Sequence, residues 1–256
     1  MLFNTHTHSC FSPDASLCFL KKIFDIALEK GLSYIAITDH LELGDEKERE
    51  FLNIDGYYRD LMLAKDKYLS KGLYIATGIE VGYNKNTQRK IKTLLKQYPF
   101  EYVINSVHWF PHYKTDSKQR FFREYIKTVG ESVDADFDYD TIGHFGFYTR
   151  YGDFDDNSMT LLEFGEEIEL VLKKIVNSNK ILEINAKGKA FDDVVPSIEM
   201  MQLYRSLGGK YTTYASDSHT PDAILNNLSG AIHVAKLAGF EYWTIKKDGQ
   251  RIKITI

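Results

Sequence analysis

Apolar residues along this chain alternate between two spacings. Short runs rich in β-branched and aromatic residues at 34–40, 74–82, 102–109, 140–145, 181–185 and 211–217 read as strands, and Leu2 to His8 reads as the first of the set. Between them apolar positions recur at steps of three and four. Leu17, Leu20, Ile23, Phe24, Ala27 and Leu28 predict a helix stopped by Gly31. The same spacing predicts a helix over 56–71 ahead of Gly72, a short one around Ile91, Leu94 and Leu95 that stops before Pro99, and one carrying Phe121, Phe122, Tyr125, Ile126 and Val129. Leu161, Leu162, Phe164, Ile168, Val171, Leu172 and Ile175 predict a long amphipathic helix, Pro196 opens another over 197–207, and Ala223 to Ala238 is helical with Gly230 as a candidate break. Residues 45–54 are charged and aperiodic and read as loop, as does the Gly- and Asp-rich stretch 146–158. From Tyr242 to Ile256 the chain alternates about Asp248-Gly249, a hairpin signal.

Seven strand–helix units in succession imply parallel strands with right-handed crossovers. At 256 residues they suit one α/β barrel spanning residues 1–256, closed by a C-terminal β-hairpin, better than two small domains. A hydrophobic fraction of 43% supports a large core, while a formal net charge of −4 and the lack of any Lys/Arg block argue against nucleic acid as an obligatory partner. The first residues run straight into a strand and no later run reaches membrane-spanning length, so a cytoplasmic protein with no membrane partner is expected. Cys10 and Cys18 fit a reducing compartment, and Cys10 reads as a small core or loop residue.

In a parallel barrel the chemistry collects at the carboxyl ends of the strands. His6 and His8 alternate along the first strand and share a face, so both imidazoles can reach one metal ion. His40, Glu80, His108, His144 and the pair Asp217 and His219 close later strand-like runs, so six of the seven runs end in a metal-binding residue. With Asp14, whose alternative role is a turn or cap after Pro13, there are nine candidates. Nine donors serve two divalent ions generously, or three if one carboxylate bridges. His112, separated from His108 by Pro111, and His233, in a helix far from any strand end, read as rim and surface residues.

The motifs Thr5-His6-Thr7-His8-Ser9, Thr38-Asp39-His40, Gly78-Ile79-Glu80, Ser106-Val107-His108, Ile142-Gly143-His144 and Ser216-Asp217-Ser218-His219 resemble those of the polymerase-and-histidinol-phosphatase (PHP) superfamily over nearly the whole chain. Within it the chain looks most like the stand-alone histidinol-phosphate phosphatases. The resemblance implies a distorted seven-stranded (β/α) barrel with a trinuclear site. It assigns one ion to His6, His8, Glu80 and Asp217, a second to Glu80, His108 and His144 with Glu80 bridging, and a third to Asp14, His40 and His219. Zinc, iron and manganese all suit such donors.

Three divalent ions bring roughly +6 and three carboxylates return about −3, so with a bridging hydroxide about +2 remains, which a phosphate monoester dianion neutralises. The expected reaction is in-line attack of that hydroxide on phosphorus, with Asp217 or His219 passing a proton to the departing alkoxide. The resemblance implies L-histidinol phosphate as the small phosphorylated metabolite, a step of histidine biosynthesis, and gives Arg150 the role of holding phosphate. Where the family has a second arginine after the sixth strand, this chain reads Asn185-Ala186-Lys187-Gly188-Lys189, so Lys187 or Lys189 would stand in as point charges. The competing readings are a phosphoesterase of nucleotides or other metabolites, an amidohydrolase, and a non-catalytic metal-binding module. The amidohydrolase pattern wants eight strands, and a module without activity would show lost ligands, of which there are none.

Overall fold

A computed structural model describes residues 1–44 and 53–256, so most of the loop expected at 45–54 lies outside the described residues. Strand β1 (Leu2–Asn4) leads to α1 (Leu20–Glu29), then β2 (Leu32–Ile37) and β3 (His40–Leu41). There follow α2 (Ile54–Leu69), β4 (Tyr74–Gly82), α3 (Gln88–Gln97), β5 (Tyr102–Ser106), α4 (Lys118–Ser132) and β6 (Thr141–Ile142). The chain continues through α5 (Leu161–Ser178), β7 (Ile181–Asn185), α6 (Ile198–Ser206), β8 (Thr212–Ala215), α7 (Leu228–Leu237), β9 (Tyr242–Lys247) and β10 (Gln250–Thr255).

The sheet runs β1-β2-β4-β5-β6-β7-β8, all parallel, with β3 also on β4. Since β2 pairs Tyr34–Ile37 with Tyr74–Thr77 and β3 pairs His40 and Leu41 with Glu80 and Val81, the two are halves of one passage. That leaves seven passages, as the periodicity predicts. The ends of the sheet meet through a bridge between Thr7 and Ser218, where the His8 N–H donates to the Ser218 carbonyl at 2.9 Å. The result is a nearly closed barrel.

Helices cover the outside because each carries one apolar face. Ile23, Phe24 and Ala27 of α1, and Phe164, Ile168, Val171, Leu172 and Ile175 of α5, are buried. Polar side chains set the starts: Asn53, Ser117, Thr160 and Ser197 each accept a bond from the N–H three residues on, an arrangement worth about 1 kcal/mol apiece. The antiparallel hairpin of β9 and β10 packs against the beginnings of the barrel strands. Trp243, Ile245 and Ile254 are buried, the Tyr34 hydroxyl donates to the Lys246 carbonyl at 2.8 Å, and Lys246 pairs with Asp140 at 2.7 Å. Among the described residues no helix is long and apolar enough to cross a membrane.

Several strands are shorter than their sequence runs. The first ends at Asn4 rather than His8, because the Asn4 side chain replaces the ladder: its Oδ1 accepts from the N–H of Ser216 at 3.0 Å and of His6 at 3.3 Å, and its Nδ2 donates to Thr7 and Ser216 hydroxyls at 2.6 and 2.7 Å. The run 140–145 keeps only Thr141 and Ile142 as strand, 102–109 ends at Ser106, and 211–217 ends at Ala215. The last helix breaks earlier than Gly230. A short turn at Pro221–Ala223 precedes Asn227, which takes a left-handed backbone (φ 42°) and caps α7 by accepting from the Gly230 N–H.

Asn4 is fully buried and ties β1 to the end of β8, so Asn4→Ala is expected to leave several buried polar groups unpartnered. A urea titration should show a loss of about 3 kcal/mol in unfolding free energy. A loss near zero would show that the barrel seam does not depend on this side chain.

Candidate metal centre

All nine sequence candidates lie at one end of the barrel. The segment after β1 brings His6 and His8 together, Nε2 to Nε2 at 3.1 Å, although it is not regular strand. It is held on both sides, by the Thr38 N–H donating to the Thr7 carbonyl and by Ser218. Glu80, with no exposed surface, stands at the centre: its Oε1 is 2.9 Å from His144 Nε2 and 3.2 Å from His108 Nε2, and its Oε2 is 2.8 Å from His40 Nδ1, 3.3 Å from His6 Nε2 and 3.6 Å from His8 Nε2. Asp217 Oδ1 lies 3.2 Å from His8 Nε2 and 3.8 Å from His6 Nε2. Asp14 Oδ2 is 3.4 Å from His40 Nε2 and 3.2 Å from His219 Nε2, and the His8 ring lies between those of His40 and His219, tilted against both, with centroids 4.2 Å from each. Asp217 has a left-handed backbone (φ 47°), an uncommon state for a residue other than glycine, and its carboxylate is held by Asn185 Nδ2 at 3.2 Å and Lys187 Nζ at 3.4 Å.

The donor set fits a metal cluster. Imidazole nitrogens face one another, His6 to His8 and His108 to His144 at 3.3 Å, with acidic oxygens among them. The buried atoms His40 Nδ1 and Glu80 Oε2 lie 2.8 Å apart, yet neither has a hydrogen-bond partner among the described residues. Three groups offer donor atoms within 4.8 Å of one another: His8, His40 and His219; His6, His8 and Glu80; and His40, Glu80 and His108.

Without metal these groups hold one another's charge. Burial works against ionised Glu80 and Asp217, but the imidazoles around Glu80, His6 first, and for Asp217 His6 and Lys187, keep both well below the usual carboxylate range. Burial likewise opposes protonation of His108 and His40. The Glu80 and Glu42 carboxylates overcome it at His108, which is pushed up to about 10, and Glu80 with the Asp14 bond does so at His40, pushed up to about 9. At His8 and His144 burial prevails and the values fall.

The three cations expected at the substrate differ in placement. Lys187 Nζ is 3.4 Å from both Asp217 Oδ1 and His219 Nε2. Arg150 donates from Nε to Asp193 Oδ1 at 2.8 Å, from Nη1 to Asn185 Oδ1 at 2.8 Å, and from Nη2 to the carbonyls of Asn185 and Asp193, both at 3.1 Å. Lys189 is exposed on the following turn. His112 and His233 are exposed, the latter beside Phe191. Burial and Asp39 push the Cys10 thiol up, which keeps it protonated.

Sequence reasoning missed several groups that hold the donors. Glu183 accepts from His6 Nδ1 at 3.0 Å, Glu42 accepts from His108 Nδ1 at 2.5 Å, and Asp39 gathers the loop after His8 by accepting from the Ser9 N–H and the Ser9 and Ser12 hydroxyls. Glu183 was marked by its setting, a lone carboxylate inside Ile181-Leu182-Glu183-Ile184, since a charge in an apolar strand needs a partner.

The family model for the PHP domain matches residues 4–187. A histidinol-phosphatase of Lactococcus lactis is 28% identical over 92% of this chain and 90% of its own length. A Clostridium acetobutylicum protein named "Probable histidinol-phosphatase" is 29% identical over 92% and 93%. The crystal structure of histidinol phosphate phosphatase from Lactococcus lactis, complexed with zinc, L-histidinol and phosphate, superposes with a TM-score of 0.86 at 26% identity and covers 98% of each chain.

Because the His40 and His108 values are raised above that of a free imidazole, both rings carry protons near neutral pH in metal-free protein. Metal must displace those protons. Adding zinc to chelator-treated protein in weak buffer near neutral pH is expected to acidify the solution, and the release should fade as pH rises through about 9 and 10. The attraction these charged rings supply is complete below the ordinary imidazole value and lost through the same window, so the urea midpoint of metal-free protein should fall across it. A midpoint that holds steady or rises there would contradict the charge arrangement.

Proposed function

The chain belongs to the PHP domain family, and from that premise we propose that it is a metal-dependent phosphoric monoester hydrolase converting L-histidinol phosphate and water to L-histidinol and phosphate. The observation that carries the reading is the convergence of nine candidate donors from six of the seven strand passages on one cluster, with buried Glu80 at its centre and Asp14 at its exposed edge. The Lactococcus complex, alike over 98% of each chain, supports the substrate and favours zinc over iron or manganese. His6, His8, Glu80 and Asp217 would hold one ion, Glu80, His108 and His144 a second, and Asp14, His40 and His219 a third. When bound, such ions would neutralise phosphate charge and lower the pKa of water, making a hydroxide nucleophile available near neutral pH.

The chain's own residues do the rest. Lys187 presents an ammonium at the edge of the donor cluster, where it takes a phosphoryl oxygen as a point charge. Arg150, most of its fork already engaged with Asp193 and Asn185, adds positive field and its remaining donor, and Lys189 adds charge from the exposed turn. A proton for the departing alkoxide would be relayed from water by Asp217 or His219, both beside Lys187, since Asp217 is held ionised and has none of its own to give. The reaction belongs to histidine biosynthesis in the cytoplasm and needs no macromolecular partner.

Zinc-loaded protein is expected to release phosphate from L-histidinol phosphate, with activity lost to chelator and restored by metal. Lys187→Met should lower kcat/KM about 10- to 100-fold while the bound zinc count stays unchanged. Hydrolysis confined to nucleoside monophosphates or bisphosphates would defeat the substrate assignment and keep the phosphoesterase chemistry.

A further inference from the structure

Glu42 stands two residues beyond His40 and outside the nine donors, yet it accepts the Nδ1–H of His108 at 2.5 Å. Glu183 does the same for His6. In both rings the other nitrogen faces Glu80: His108 Nε2 lies 3.2 Å from Oε1 and His6 Nε2 lies 3.3 Å from Oε2. An imidazole that donates through Nδ1 keeps its lone pair on Nε2, and a carboxylate acceptor makes that nitrogen a better ligand.

The two carboxylates reach their rings differently. Glu183 is fully buried and its second oxygen is occupied by Asn185 Nδ2 at 2.8 Å and the His144 N–H at 3.3 Å. Glu42 follows β3, whereas His108 follows β5, and β4 lies between those strands in the sheet. The crossing is made at Gly82, the last residue of β4. A Cβ there would sit 1.9 Å from Glu42 Oε2, 2.4 Å from its Cδ and 2.5 Å from its Oε1, so the missing side chain is the slot the carboxylate occupies.

We propose that Glu42 is a positioning residue for His108: lodged against Gly82, its carboxylate fixes the tautomer and tilt of that ring so that Nε2 is the nitrogen offered to metal. The inference rests on the metal reading of the same pocket. Two substitutions should then act alike although they differ in chemistry, Glu42→Gln by removing the charge and Gly82→Ala by displacing it.

The test compares zinc retention against a chelator series, counted by elemental analysis, with the ¹⁵N signals of the histidine rings in zinc-loaded protein, where the His108 ring is neutral. Wild type is expected to hold zinc, and both variants to release at least one ion at about tenfold lower chelator concentration. The His108 signals should move from a single Nδ1–H tautomer to a mixture, and Glu42→Asp should recover part of the retention. A purely structural Glu42 would lower the urea midpoint of metal-free protein and leave the chelator curve in place, which would overturn the proposal. So would Glu42→Gln with wild-type retention and an unchanged ring spectrum, even if Gly82→Ala fails to fold. A folded wild type that binds no zinc would overturn the metal reading and this inference together, whereas zinc-binding wild type with an indifferent Glu42→Gln would overturn the inference and spare the metal reading.

Discussion

A carboxylate with no exposed surface is costly unless its charge is met, and Glu80 is such a group, set near the carboxyl end of β4, the barrel's third passage. Five imidazoles face it, from His6 and His8 at the chain's start to His144 more than halfway along. No local stretch of sequence could satisfy it. The barrel is the device that does so, because parallel strands carry residues remote in sequence to the same end and aim them inward. Those imidazoles are in turn oriented from behind by Glu183, Glu42 and Ser12, so the charge at the centre is ringed by a second layer of acceptors.

The pocket is therefore pre-arranged rather than assembled from mobile parts. His8 sits between His40 and His219 with tilted rings, and the loop that follows His8 is pinned by the buried Asp39. A site with these properties offers hard and borderline donors in fixed positions and a surplus of positive charge once metal is present. Phosphate monoesters meet both conditions.

Much of this was legible in the sequence. The seven passages follow from apolar spacing, and eight of the nine candidate donors were visible because they stand at or beside the ends of strand-like runs, with Asp14 added from the turn after Pro13. The lengths of the strands were not. Asn4 and Asp39 end regular pairing by substituting side-chain oxygens for ladder partners, and such a switch depends on what lies across the barrel, 212 residues away for Asn4 and Ser216. Glu42 escaped notice for the same reason: its role is defined by an imidazole two strands over and by an absent side chain at Gly82. The bonds that engage Arg150 were equally out of reach of the sequence, since they go to Asn185 and Asp193, 35 and 43 residues on.

The seam where Asn4 and Thr7 meet Ser216 and Ser218 joins the two extremities of the sheet. On a ribosome, the first histidines emerge long before their neighbours across that join, and until β8 is made the barrel is an open sheet with two unpaired margins. Long-range pairings of this kind form late and slowly. The complete donor cluster therefore exists only once that join has closed: a nascent chain owns scattered imidazoles, and only the finished one owns a cluster.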